Sequence, residues 1–270
     1  MGLIGGSAGY RLLRKISPLE PTHMSGASYA GRSKVQELFG ASIWNEIDGK
    51  VVVDFGCGQG AEAIEFAKRG AERVYGIDVL DRWLAIADEQ ARKSGCRNVV
   101  FGKTPAEPAD VIVSIDSFEH FADPLGILET MATMLKPGGC VFASFGPTWF
   151  HPYGGHLFSI FPWAHLVFSE SALCRWRSHI RNDGATKFSE VDGGLNQMTI
   201  ARFRRIVKQS PFHLDSLETV PIRAARRFHN RITEEFLTSI VRCKLSLPAS
   251  IRQTLVAAIP SRELTAKATA

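Results

Sequence analysis

A carboxylate and three glycines share one short stretch, Val51-Val52-Val53-Asp54-Phe55-Gly56-Cys57-Gly58-Gln59-Gly60. Without a Cβ, glycine lets the backbone turn tightly and lets a ligand approach it closely. Gly56-x-Gly58-x-x-Ala61 also satisfies the dinucleotide-binding pattern, so the glycines alone leave two cofactor classes open. Asp54 separates them. A pyrophosphate docks on helix N-terminal amides and disfavours a carboxylate beside it. S-adenosylmethionine carries a sulfonium and an α-ammonium and no phosphate, and a carboxylate attracts both cations. Asp54 can also tie down the turn by hydrogen bonds, and the two uses are compatible. Asp78, eighteen residues after Gly60, can accept both hydroxyls of an adenosine ribose, which fits NAD as well as S-adenosylmethionine.

Asp116, Glu119 and His120 form a second constellation. Offsets of three and four put all three on one face if the segment is helical. Three uses compete: structural capping of the loop, His120 as general base beside a substrate nucleophile, and a divalent site such as magnesium, held by hard oxygens and an imidazole. His151 and His156 are the other candidate bases. The five cysteines, Cys57, Cys96, Cys140, Cys174 and Cys243, are scattered and contain no C-x-x-C pair, so neither a zinc site nor a disulfide framework is expected.

These residues need elements to hold them. Lys50 to Phe55 reads as a buried parallel strand running into the glycine turn. Ala61 to Arg69 is a helix, Arg73 to Ile77 a second strand closed by Asp78, and Arg82 to Ser94 a second helix. Asn98 to Phe101, Asp110 to Ile115 and Gly139 to Phe145 are further strands, with a helix over Leu125 to Leu135. Such alternation makes a parallel sheet with right-handed crossovers. The rhythm stops after Phe145. Thr199 then caps a helix to Gln209 with Ile200, Phe203, Ile206 and Val207 on one face. His213 to Ile222 and Ser239 to Leu247 read as strands joined by a short basic helix over Ala224 to Phe236, which suits an antiparallel edge hairpin. The expected fold class is α/β, a doubly wound, mostly parallel sheet with an antiparallel terminal hairpin and an aromatic-rich insertion after strand five. The chain divides into a helical preamble (1–47, with helical spacing over Ser33 to Trp44), a cofactor-binding core (48–146), a lid or insertion (147–198), completion of the sheet (199–250) and a fraying tail (251–270).

The ordered set D-F-G-C-G-Q-G, G-I-D, D-V-I-V-S-I-D-S-F-E-H and Leu135-Lys136-Pro137-Gly138-Gly139 resembles class I S-adenosylmethionine-dependent methyltransferases over about residues 48–146. The resemblance implies a seven-stranded sheet whose last strand is antiparallel. It implies that Gly56, Gly58 and Gly60 shape the cofactor turn, that Asp78 holds the ribose and that Val79 packs on the adenine. Cys57, Ile115 and Asp116 complete the expected cofactor-binding set. Where the family often places an acid after the third strand for the adenine amine, this chain has Gly102-Lys103-Thr104, leaving backbone groups or Glu107 for that task. The acidic-histidine cluster is similar to the Glu-x-x-Glu-His pattern of ubiquinone-biosynthesis O-methyltransferases, which is tied to a metal; here Asp116 stands at the first position.

The insertion carries eight aromatics between Trp149 and Trp176: Trp149, Phe150, Tyr153, Phe158, Phe161, Trp163, Phe168 and Trp176. They suit a small extra core, and also a lid that excludes water and grips an apolar acceptor. Gly154-Gly155 reads as a hinge for such a lid, and a membrane-skimming loop is a third use. Residues 1–170 carry 15 Lys+Arg against 19 Asp+Glu, and residues 171–270 carry 17 against 8, so the C-terminal part is basic. That permits an anionic acceptor or a peripheral membrane contact; no aromatic-interleaved RNA motif or zinc finger points to nucleic acid. No apolar run reaches membrane-helix length and no signal peptide is legible, so a cytoplasmic location is expected. The expected function is transfer of a methyl group from S-adenosylmethionine to a small-molecule acceptor. The alternatives are an NAD-dependent oxidoreductase and a non-catalytic nucleic-acid or partner-binding protein on the same fold.

Overall fold

The computed structural model describes residues 2–16, 31–158, 160–181, 184–191 and 193–248. The Ala- and Thr-rich tail expected to fray lies outside the described residues. Seven strands form one sheet: β1 (Val51–Phe55), β2 (Arg73–Ile77), β3 (Val99–Gly102), β4 (Ala109–Ile115), β5 (Leu135–Phe145), β6 (His213–Pro221) and β7 (Thr238–Ser246), in the order β3-β2-β1-β4-β5-β7-β6. The first five are parallel, and β7 runs antiparallel to both β5 and β6. The helices are α1 (Gly6–Ile16), α2 (Lys34–Phe39), α3 (Ile43–Ile47), α4 (Ala61–Lys68), α5 (Asp81–Lys93), α6 (Pro124–Met134), α7 (Ala164–Val167), α8 (Glu170–Arg177), α9 (Ile200–Gln209) and α10 (Glu234–Leu237).

Every residue of β1 is buried, as a strand covered on both faces requires. Val51, Val53 and Phe55 face a core shared with Leu128 and Met131 of α6 and Phe203 and Val207 of α9. Val52 faces the other core, with Val35 and Leu38 of α2, Ile43 and Ile47 of α3, and Ala63 and Phe66 of α4. The strand order reverses between β1 and β4, which opens a crevice at their carboxyl ends.

Two expected helices are broken. The one over Ser33 to Trp44 divides at Gly40, whose φ of 79° no right-handed helix accepts. The one over Ala224 to Phe236 is a 3₁₀ stretch, Arg223–Phe228, followed by the single turn of α10. Between them the Asn230 side chain accepts from the amides of Ile232 (2.8 Å) and Thr233 (3.2 Å), replacing helical bonds with a side-chain turn.

The insertion builds a third core. Trp149, Phe158, Phe168 and Trp176 are buried with Leu173 of α8 and Leu13 of α1. The N-terminal segment is laced to it: Ile4 N donates to Val167 O at 3.0 Å, and Ser169 N donates to Ile4 O at 2.9 Å. At the base of the insertion, Trp149 N donates to Met198 O at 2.7 Å.

Candidate active site

The glycine turn, the end of β4 and the start of α2 enclose a cavity of about 280 Å³. Its walls include Asp54 of β1, Gly56, Cys57 and Gly58 from the turn, Ile115, Asp116 and Ser117 from the end of β4, and Lys34 and Glu62 from α2 and α4. The turn is stiffened from behind. Gly58 N donates to Asp78 Oδ2 (3.0 Å) and Leu80 N donates to Asp78 Oδ1 (2.9 Å), so one carboxylate fixes both the turn and the entry to α5. A Cβ on Gly58 would meet no atom within 4 Å, because this glycine borders open space; its φ is 50°.

Charge around the cavity is unevenly satisfied. Asp54 is buried, and among the described residues its Oδ2 has no hydrogen-bond partner. Burial, with the neighbouring Glu62 carboxylate, holds the Asp54 carboxyl well above the usual range. Lys34 reaches across from α2, its Nζ 2.8 Å from Asp116 Oδ2 and 3.7 Å from Glu62 Oε1. A buried, unpaired carboxyl oxygen beside a cation and two further carboxylates fits a zwitterionic amino-acid group: its ammonium toward Asp54, its carboxylate toward Lys34.

The acidic-histidine cluster does not share one face. Asp116 takes a left-handed conformation (φ 51°) and the chain then makes a turn, His120 N to Ser117 O at 2.9 Å, so helical offsets do not apply. Asp116 goes to Lys34. Glu119 is buried, its Oε1 accepting from Gly146 N (3.2 Å) and its Oε2 unpaired. Burial and the Asp116 charge push its pKa up to about 8. His120 Nδ1 lies 2.7 Å from Gly194 O. As arranged, the three do not fit a metal ion, and among the described residues no trio of His, Cys, Asp or Glu is placed to hold one. The expected metal site is corrected accordingly.

None of the three candidate bases lines the cavity. His120 and His156 pack edge to face with ring centroids 5.5 Å apart, and the turn from Asp116 to His120 joins this pair to the cavity wall. Among the described residues His156 Nε2 is buried without a partner, and burial, with His120 nearby, lowers its pKa to about 4. His151 is likewise lowered to about 4 by burial, then by His165; its Nδ1 accepts from Tyr153 N at 3.0 Å. Glu107 is engaged with residues of β2. It accepts from Tyr75 Oη (3.0 Å) and pairs with Arg73 (3.5 Å) at the amino end of β2, away from Asp78. Val79 stands exposed beyond the turn, its carbonyl accepting from Lys103 Nζ at 2.7 Å.

Several residues escaped the sequence reading. Lys34 belongs to a helix far from any motif. Ser117 lies where a Cβ on Gly56 would fall, 2.6 Å from its Oγ. Asn196 donates to the carbonyls of Phe118 (2.6 Å) and Phe121 (2.8 Å), fastening the turn after β4 to the end of the insertion. A polar residue between Leu195 and Met198, just after Gly193-Gly194, was the available signal.

Comparison with known proteins agrees with this geometry. A family model described as a methyltransferase domain matches residues 25–210, more than half of the chain. The chain belongs to that family, as a class I, S-adenosylmethionine-dependent member. The ubiquinone biosynthesis O-methyltransferase of Leptothrix cholodnii is 38% identical over 107 residues, 37% of this chain and 45% of that protein. The enzyme of the same name from Aliivibrio fischeri is 36% identical over 107 residues, again 37% and 45%. The chain thus spans less than half the length of these curated relatives. A putative S-adenosylmethionine-dependent methyltransferase from Listeria monocytogenes superposes with a TM-score of 0.50 at 19% identity, over 75% of this chain and 92% of that one. The [4+2]-cyclase SpnF superposes with 0.51 at 16%, over 77% and 79%. The likeness in structure speaks for the fold alone, and the second neighbour shows why chemistry must be argued from the site.

Proposed function

We propose that the protein transfers a methyl group from S-adenosylmethionine to a hydroxyl oxygen of a small acceptor with an apolar or aromatic body. The carrying observation is the unpaired, buried Asp54 Oδ2 on the cavity wall. It supports a ligand with a cation at that point and disfavours the pyrophosphate that NAD would bring there. Asp78, with both oxygens already accepting one backbone amide each, retains lone pairs for ribose hydroxyls. The bound cofactor supplies an activated methyl group, so this chain's residues act chiefly by positioning. His156, with its bare buried nitrogen, is the residue proposed to take a hydrogen bond from the acceptor hydroxyl, with His120 packed against it. The oxygen acceptor rests on the names of the relatives, which share the motif-bearing part of the chain.

Calorimetric titration with S-adenosylhomocysteine and with NAD tests the cofactor assignment. Binding of the first and not the second is expected, and Asp78→Ala should weaken it by about 1.5–3 kcal/mol. NAD binding without a response to S-adenosylhomocysteine overturns the reading. A methyl-transfer screen over hydroxylated ring compounds then tests the acceptor, with His156→Ala expected to lower kcat and spare cofactor affinity.

A further inference from the structure

The connection between β6 and β7 is charged and apolar at once. Arg223, Arg226, Arg227 and Arg231 lie within nine residues, and among the described residues none of the four makes an ion pair. The acids that follow them are turned inward. Glu234 pairs with Arg204 of α9 (3.2 Å), and Glu235 accepts from the amides of Ile200 (3.0 Å) and Ala201 (2.7 Å) at the start of that helix. Beside the arginines, apolar side chains stand in water: Ile232 is 88% exposed and Phe228 54%, with the Arg227 guanidinium 4.6 Å over the Phe228 ring.

This connection is continuous with the first part of the insertion. The Phe236 ring lies 5.4 Å from Phe150, and Trp163 donates its indole N–H to Phe150 O at 2.9 Å. That bond spends the one polar atom of the indole, yet the ring remains 38% exposed, carried by a left-handed backbone (φ 64°). Phe145 at the end of β5 pairs with Val241 near the start of β7, so both segments rise from the carboxyl edge that holds the cavity.

We propose that this rim, formed by 222–237 with Trp163 and its neighbours, docks on an anionic lipid surface beside the mouth of the site. Unpaired arginines meet phosphate headgroups, their stems lie along apolar surface, and exposed rings and Ile232 enter the headgroup–acyl boundary. Indole and phenol rings favour that boundary. An RNA backbone satisfies the arginines but leaves the aliphatic Ile232 without a role. Among the described residues no helix is long and apolar enough to cross a membrane, and the contact inferred is with the surface.

The test is co-sedimentation of the full chain with vesicles of phosphatidylcholine alone and of phosphatidylcholine mixed with phosphatidylglycerol. Binding to the mixed vesicles only, weakening with salt, is expected. Arg226→Ala with Arg227→Ala should reduce that binding about 25-fold at low salt, at about fivefold per arginine. Ile232→Ser should remove the part that survives salt. All three positions are exposed, so melting temperature and S-adenosylhomocysteine affinity should hold, and they report on folding and on the proposed activity separately. No binding to anionic vesicles, equal binding to neutral ones, or variants that bind like the parent overturns the proposal. Capture by single-stranded RNA in place of vesicles does the same.

Discussion

At Gly58 the backbone has φ 50° and open space where a Cβ would stand; at Gly154 φ is ordinary, and a Cβ would fall 2.2 Å from Thr148 O and 2.4 Å from Trp149 O. Gly155 is similarly tight, with the His165 side chain 2.6 Å away. One glycine leaves room for a ligand's approach; the pair lets chain pack on chain. Gly154-Gly155 thus serve a close packing contact, and Trp149, buried against Phe188 and His165, belongs to the core of the insertion. Among its described residues the insertion packs around its own core, and two of its rings, Tyr153 and Trp163, are exposed to solvent.

The comparison breaks most readily at Trp149. Trp149→Ala should cost about 3–5 kcal/mol of folding stability, measured by denaturant unfolding, while S-adenosylhomocysteine affinity per folded molecule stays unchanged. A stable variant with impaired turnover would restore the lid. The two glycine sites come next. Gly154→Ala should destabilise by about 1–3 kcal/mol through forced backbone movement, with affinity intact. Gly58→Ala should cost only about 1–2 kcal/mol of stability from the left-handed strain and lose affinity as its methyl enters the cavity. Equal effects of both on affinity would erase the distinction.

The pH dependence of stability also separates the regions, because its sign differs between them. In the insertion, His151 and His156 are lowered from 6.5 to about 4, so the unfolded chain takes up protons first. Their contribution is present above pH 6.5 and is lost as pH falls toward 4. After β4, Glu119 is raised from 4.5 to about 8, so the folded chain keeps its proton longer. Its contribution is present below pH 4.5 and is lost as pH rises through 8. Melting temperatures across pH should show the acid limb flattened in His156→Gln and the alkaline limb flattened in Glu119→Gln. A single limb unaffected by its own variant would place that group in water.

The cofactor half was legible because its signals are local. A strand buried on both faces reads as an apolar run, and the turn after it as glycines at fixed spacing; β1, β2 and α4 lie within a residue or so of their expected ends. The edge hairpin was equally legible as two strand-like runs with a short connection between them. Assembly of side chains across distance was not. Lys34 meets Asp116 over 82 positions of chain, and nothing local in a lysine foretells that. The spacing of Asp116, Glu119 and His120 misled because it presupposed a helix, where a left-handed residue sends each side chain its own way.

The bond from Trp149 N to Met198 O brings the two ends of the insertion to one point on the sheet edge. Chain between two clasped ends can grow or shrink cheaply, since each doubling of a loop adds only about 0.6 kcal/mol of closure entropy. The segment is thus a cassette. Its contents can lengthen or shorten while the sheet that carries the glycine turn keeps its register.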